Sequence, residues 1–330
     1  MSIRKIFILI HIFTFMPLCH GFTNDNTKIY DAEIQAIILK QKQNGSKTIG
    51  ERIKSMSDAF INRPYILFPL GEGANDEFNQ RPLYRTDVFD CETFVDTVLA
   101  LAHASDLESF KKHINEIRYQ DGQPNFLTRN HFTHIDWNQS NQDKSYVKNI
   151  TPEITRQGKP IAVTETTYIN KRNWYKHLKP IVIYLKEGST THKAQQLAKL
   201  QKLGFESLKN QNSQLQYLPF EQLFDENQKM RQEILKQIPQ GSIIEIVRPN
   251  WNLEKQIGTR LDISHLGFAI WKNDILYFRN ASSIEHQVID IPLEAYLKNF
   301  LSSQTIKGIH IEKTLETSWI EKSKSYLHSF

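Results

Sequence analysis

The sequence predicts an α+β fold, with helices at the start of the chain and an antiparallel sheet at its end. Apolar residues recur at spacings of three and four over residues 29–61, 91–104 and 106–119. After residue 240 the pattern changes to period two, in four short runs separated by turn residues. The chain has 330 residues, 39% hydrophobic and 23% charged, which is ordinary globular composition with enough apolar material for a core.

The elements follow in order. MSIRKIFILIHIFTFMPLCHGF carries Arg4 and Lys5, an apolar run over residues 6–18, then Cys19-His20-Gly21. This is the charged, apolar, small-residue order of a secretory signal, expected to be cleaved after Gly21. The run is short for a bilayer span, so a soluble exported protein without stable membrane anchoring is expected. Residues 22–330 then form a single catalytic domain.

Residues 29–61 read as helical, and RPYILFPLGEG as a strand or extended link. CETFVDTVLALAHA is a strong helix with an apolar stripe of Phe94, Val95, Val98, Leu99 and Leu101. DLESFKKHINEIRY is a second helix. Residues 120–157, rich in Asn, Asp, Gln and aromatics, read as a functional loop region. The middle mixes strand-like PIAVTETTYI and PIVIYL with Lys- and Gln-rich helical pieces, and FEQLFDENQKMRQEILKQI reads as its clearest helix. SIIEIVR, ISHLGFAIW, DILYFRNA and HQVIDIP are the β-rich runs; the short helix LEAYLKNFL and the strand TIKGIHIE close the fold.

Composition narrows the function. A net charge of +5 gives no case for nucleic-acid binding, which needs a concentrated basic face. Two cysteines exclude a disulfide framework and a Cys-rich zinc site. Loss of the signal leaves Cys91 as a solitary thiol, either buried and inert or kept for its reactivity.

The position of Cys91 favours reactivity. Asp90 is a plausible N-cap, which puts Cys91 in the first helical turn, where free N–H groups and the dipole favour a thiolate. The same N–H groups suit an oxyanion. A thiolate that cleaves an amide needs a base, and His265 in DISHLGFAIW is the best placed of the 12 histidines. Alternation puts Ile263 and His265 on one strand face, Leu266 and Phe268 on the other. Asn280, at the end of the next strand, is the polar group expected to orient the imidazole.

DVFDCETFVDTVLALA, IRYQDGQPNFLTRNHFTHIDW, PQGSIIEIVRPNW and DISHLGFAIW with FRNASS resemble the DUF1460 family, a branch of the NlpC/P60-like, papain-related cysteine amidases. The resemblance runs from about residue 59 to 313. It implies a papain-like NlpC/P60 core with Cys91 as nucleophile, His265 as base and Asn280 as the orienting residue. This sequence has RNASS where HASS is the family's usual form; Asn can orient an imidazole as His can. The implied activity is that of an N-acetylmuramoyl-L-alanine amidase acting on peptidoglycan or muropeptides, including 1,6-anhydro fragments, without a cofactor.

The long separation of Cys91 from His265 marks residues 120–240 as an insertion that shapes the substrate cleft. Within it Arg129, Asn130, His131 and Trp137 are candidate contacts for sugar or peptide, Arg as a clamp and Trp as a stacking plate; Tyr84 and Arg85 ahead of the helix are similar candidates.

Three alternatives stand beside this reading. A γ-D-glutamyl-diaminopimelate endopeptidase would use the same Cys-His chemistry on the same fold. A non-catalytic muropeptide-binding protein would fit the altered RNASS motif. A metal site would use His131, His134 and Asp136 of HFTHID, but HEXXH is absent and Cys91 would be left without a role.

Overall fold

Side-chain caps set where the early helices begin. The computed structural model describes residues 24–45 and 48–316. The expected export signal at residues 1–21 lies outside the described residues. Helix α1 (Asn24–Asn44) precedes α2 (Ile49–Ser57), which starts at a reciprocal capping box of Thr48 and Glu51. Asp90 caps α3 (Cys91–His103) and Asp106 caps α4 (Leu107–Arg118), each exchanging hydrogen bonds with the hydroxyl residue three positions on. The apolar stripe of α3 is wholly buried.

The next stretch is more ordered than its composition predicts. Residues 120–157, expected as a loop region, hold a π-helix (Thr133–Asn138), α5 (Gln139–Asp143), β1 (Val147–Asn149) and β2 (Thr155–Arg156). Three of the asparagines here, Asn130, Asn138 and Asn141, are internal. Asn130 and Asn141 donate to the Ile117 carbonyl at 2.9 and 3.1 Å, and Asn138 donates to Glu245 at 3.0 Å. Polar composition here builds a buried hydrogen-bonded lattice instead of a solvated loop.

The chain continues through β3 (Lys159–Pro160), β4 (Val163–Ile169), α6 (Lys171–Lys176), α7 (Thr190–Ser207) and β5 (Gln211–Pro219). Residues 180–185, expected as a strand, form a 3-10 turn (Pro180–Val182) and a single bridge from Tyr184 to Asn79. Pro180 lacks the N–H a ladder needs. Residues 220–238, expected as one helix, break into α8 (Phe220–Leu223) and α9 (Gln232–Leu235). Asp225 explains the break: its carboxylate accepts from the N–H of Asn227 at 2.9 Å and of Lys229 at 2.8 Å, closing a turn. The apolar residues of both halves still bury in one cluster.

The period-two runs become strands: β6 (Ile243–Asn252), then after α10 (Glu254–Ile257) come β7 (Arg260–Lys272), β8 (Ile275–Ser282) and β9 (Gln287–Pro292). Helix α11 (Leu293–Lys298) and β10 (Gly308–Thr314) follow. The eight-stranded antiparallel sheet has the order β4-β5-β10-β6-β7-β8-β9, with β1 also beside β10. Helices α1–α4 pack one face through Ile34, Ile53, Phe94, Phe110 and Phe268; Leu223, Ile246, Phe278 and Leu297 pack the other. No helix among the described residues is long and apolar enough to cross a membrane.

Candidate active site

The start of α3 is held by an interlocked cap. Asp90 accepts from the Thr93 N–H at 2.9 Å, and its own N–H donates to the Thr93 hydroxyl at 3.0 Å. A second Asp90 oxygen accepts from the N–H of Phe68 at 3.2 Å. Cys91 is thereby fixed as the first helical residue, a free, half-buried cysteine.

The surroundings of this sulfur oppose the expected thiolate. Burial pushes the Cys91 thiol well up, and the carboxylates of Asp90 and Glu92 add to it; N–H groups of Glu92 and Leu266 pull the other way. Burial and the two carboxylates thus work against the helix-end effect inferred from sequence. Leu266 has an N–H to offer because the pairing of β7 with β8 begins only at Phe268.

His265 reaches the site through a β-bulge. Against β6, His265 pairs with Ile246 and Ile263 with Val247, so Ser264 is the extra residue. The bulge puts Ile263 and His265 on opposite faces, where simple alternation places them on one. His265 Nε2 lies 2.8 Å from Asn280 Oδ1. The Asn280 amide is oriented by its own Nδ2, which donates to the Phe278 carbonyl at 3.3 Å. An oxygen facing Nε2 requires the imidazole proton on Nε2, which leaves the Nδ1 lone pair free. Burial lowers the His265 pKa and the Asn280 bond raises it, with a net shift downward.

Gly267, two residues after His265 on β7, faces β8 closely. A Cβ there would stand 2.4 Å from the Arg279 carbonyl and 2.8 Å from Asn280 Cβ, so only glycine permits this approach.

Two tyrosines complete the surroundings and were not singled out from sequence. Tyr296 of α11 stacks on His265, centroids 6.3 Å apart at 29°. Burial raises its pKa, and Cys91 contributes to that rise. Tyr65 is raised in the same way, by burial and then by Cys91 and Asp90. Tyr65 packs against the same apolar core as Cys91, and Tyr296 lies against the imidazole. No local motif marks them: each joins these surroundings only through the tertiary fold.

The other sequence candidates are placed differently. Trp137 is wholly buried and its indole N–H donates to Asp96 at 2.7 Å, so it has no face for a sugar to stack on. Tyr84 is buried, bonded to Asp31 and edge-on to Phe110. Asn130 is likewise internal. Arg129 pairs with the buried Glu72, and Arg85 makes a two-pronged pair with Asp87 at 2.8 and 2.6 Å. Of the metal candidates, His131 bonds the Phe126 carbonyl, His134 the Ser213 hydroxyl and Asp136 the Lys171 ammonium, three separate partners.

Comparison with known proteins gives this geometry a family. The AmiA-like family model, described as N-acetylmuramoyl-L-alanine amidase-like, matches residues 55–305. No curated protein matches the chain. A solved Legionella pneumophila protein of the DUF1460 family is 42% identical with a TM-score of 0.85, the match covering 88% of this chain and 96% of that one. An N-acetylmuramoyl-L-alanine amidase from Bacteroides uniformis is 22% identical with a TM-score of 0.57, covering 81% and 98%. A Bacteroides fragilis protein provisionally assigned as a xylanase is also 22% identical, with a TM-score of 0.53, covering 78% and 99%. The two Bacteroides proteins show a shared fold, and their differing names say nothing of this chain's chemistry. With the family model spanning most of its length and a close match in the Legionella structure, the chain belongs to the AmiA-like, N-acetylmuramoyl-L-alanine amidase-like family.

Proposed function

We propose that this protein is an exported cysteine amidase, built as one NlpC/P60-like, papain-related catalytic domain over residues 22–330, with the segment at 120–240 bordering its cleft. Its substrate is the amide joining N-acetylmuramic acid, in plain or 1,6-anhydro form, to L-alanine in peptidoglycan fragments. The observation that carries the reading is the 2.8 Å Asn280–His265 bond, which aims a neutral imidazole's free nitrogen away from Asn280 in a site shared with Cys91 and Tyr296.

The residues define the sequence of steps. The site rests as thiol and neutral imidazole, since burial raises one pKa and lowers the other. His265 Nδ1 takes the thiol proton as the sulfur attacks the lactyl carbonyl. The cap already uses the N–H groups of Thr93 and Phe94, at 2.9 and 3.0 Å from Asp90 oxygens. The N–H of Cys91 has no hydrogen-bond partner among the described residues and is the donor for the tetrahedral oxyanion. Protonated His265 then gives its proton to the departing alanine nitrogen, leaving a thioester. His265 next deprotonates water, which hydrolyses the thioester and restores the thiol.

The test is mass spectrometry of a defined anhydro-muropeptide incubated with the mature protein and with Cys91→Ala. Free stem peptide beginning at L-alanine, absent with the variant, is the expected result. Products split within the stem peptide would make the protein an endopeptidase with the same nucleophile. Binding without turnover would overturn the enzymatic reading.

A further inference from the structure

Phe68 stands out beside the nucleophile. Its backbone is in the left-handed region, with φ at 56°. The other described non-glycine residues at positive φ are Asn, Asp, Ser, Gln and His, side chains that tolerate this region better than a bulky aromatic. Nor does the ring compensate by packing inside: Phe68 is 56% exposed, and Leu67 before it 51%. Glycine or asparagine would serve this turn with less strain.

The turn is held from both sides. Ile66 N–H donates to the Phe89 carbonyl at 2.9 Å, and Phe68 N–H donates to the Asp90 carboxylate that caps the nucleophile's helix. An exposed aromatic in a strained, fixed turn next to a reactive residue is a feature the fold itself does not need. We infer that Phe68 is a sugar-recognition residue, an apolar plate on which the muramic-acid ring packs while its lactyl carbonyl meets Cys91.

This inference rests on the amidase reading and gives that site its specificity. The chemistry of the substrate favours the sugar as occupant. Only the lactyl carbon and an ether oxygen separate the scissile carbonyl from the pyranose. On the other side lie the small methyl of L-alanine and then a charged D-glutamyl unit. Of these groups the pyranose alone offers a broad C–H face to an aromatic ring. Leu67 extends the apolar surface by one residue.

The test compares two substrates that differ only in the sugar: N-acetylmuramoyl-L-alanyl-D-isoglutamine and D-lactoyl-L-alanyl-D-isoglutamine. The readout is the ratio of their kcat/KM values in wild type, Phe68→Gly and Phe68→Tyr. Phe68→Gly removes the ring and relaxes the backbone, so folding is not at risk. The ratio is expected to fall about tenfold in Phe68→Gly, chiefly through KM, and to hold within about twofold in Phe68→Tyr. An unchanged ratio overturns the inference, including the case where both substrates suffer equally, since that marks the turn as mere support for Asp90. Should wild type cleave neither compound, the amidase reading fails, and calorimetric titration of both into Cys91→Ala decides for Phe68. A preference for the sugar-bearing ligand that Phe68→Gly abolishes upholds the plate; equal affinities overturn it.

Discussion

Asn280 holds His265 by one ring nitrogen and leaves the other bare. The 2.8 Å contact between Asn280 Oδ1 and His265 Nε2 fixes both the tautomer and the plane of the imidazole, and Asn280 is itself fully buried. Asn280→Ala should lower kcat about 10- to 100-fold, less than the loss in His265→Ala, because the base remains but turns freely. The hydrogen bond raises the His265 pKa, so its removal lets that pKa fall further. A lower pKa keeps the base neutral in more acidic solution. The acid limb of the kcat/KM profile should therefore move to lower pH, which a simple packing defect would not cause.

Gly267 is expected to be intolerant of a single methyl group. In Gly267→Ala the new Cβ meets the Arg279 carbonyl and Asn280 Cβ, so β7 and β8 must separate where the imidazole is oriented. Stability should fall by about 1–3 kcal/mol, as for other overpacked sites. Activity at a temperature where the variant is folded should fall at least as far as in Asn280→Ala. Thermal unfolding and steady-state kinetics on the same preparation separate the two effects.

Trp137→Phe addresses a buried anchor. It removes the donor that Asp96 accepts at 2.7 Å and leaves a gap in the core. A loss of about 2–4 kcal/mol is expected in denaturant unfolding. The preference for sugar-bearing over sugar-free substrate should not change, since the indole is out of a ligand's reach.

Stability should fall as the solution becomes alkaline, through a cluster on the sheet. His310 pairs across β10 and β6 with Glu245, and its Nε2 lies 2.9 Å from Glu312, all three wholly buried. Burial opposes charge on His310, but the Glu312 hydrogen bond and the Glu245 charge outweigh it and raise the pKa to about 9. A raised histidine stabilises the fold fully below its ordinary pKa of 6.5, and that stabilisation is lost as pH climbs to about 9. Glu245 is pushed up to about 7 by burial, which takes stability away between pH 4.5 and 7, in the same direction. The melting temperature should decline from pH 6.5 to 9, and His310→Gln should flatten the decline. A rising melting temperature across that window would contradict the account.

What the sequence made legible was local. Asp90 and Thr93 sit three positions apart, so the cap and the place of Cys91 follow from spacing. His265 and Asn280 lie on strands joined by a two-residue turn, so their meeting follows from hairpin geometry. The bulge at Ser264 has no signature in the alternation of DISHLGFAIW, and it reversed the face of Ile263. Asp225 ended a helix that apolar spacing alone would have continued. Tyr65, Tyr296 and the raised thiol depend on distant groups brought together, which no window of sequence displays. Trp137 has the residue type of a sugar platform, but type does not reveal which side of the surface it occupies.

Strand β10, the last among the described residues, is not at the edge of the sheet. Strand β10 lies between β5 and β6, pairing Gly308 with Pro219 on one side and Val247 on the other. A chain still on the ribosome, with residues 308–314 unmade, lacks the backbone ladder that joins β4–β5 to β6–β9. Uniting them is a late, long-range closure, the kind of step that makes β-rich folding slow. A premature stop before Gly308 would leave the facing edges of β5 and β6 bare, ready to pair with other chains. The order of synthesis thus withholds the finished sheet until residue 314 has been made.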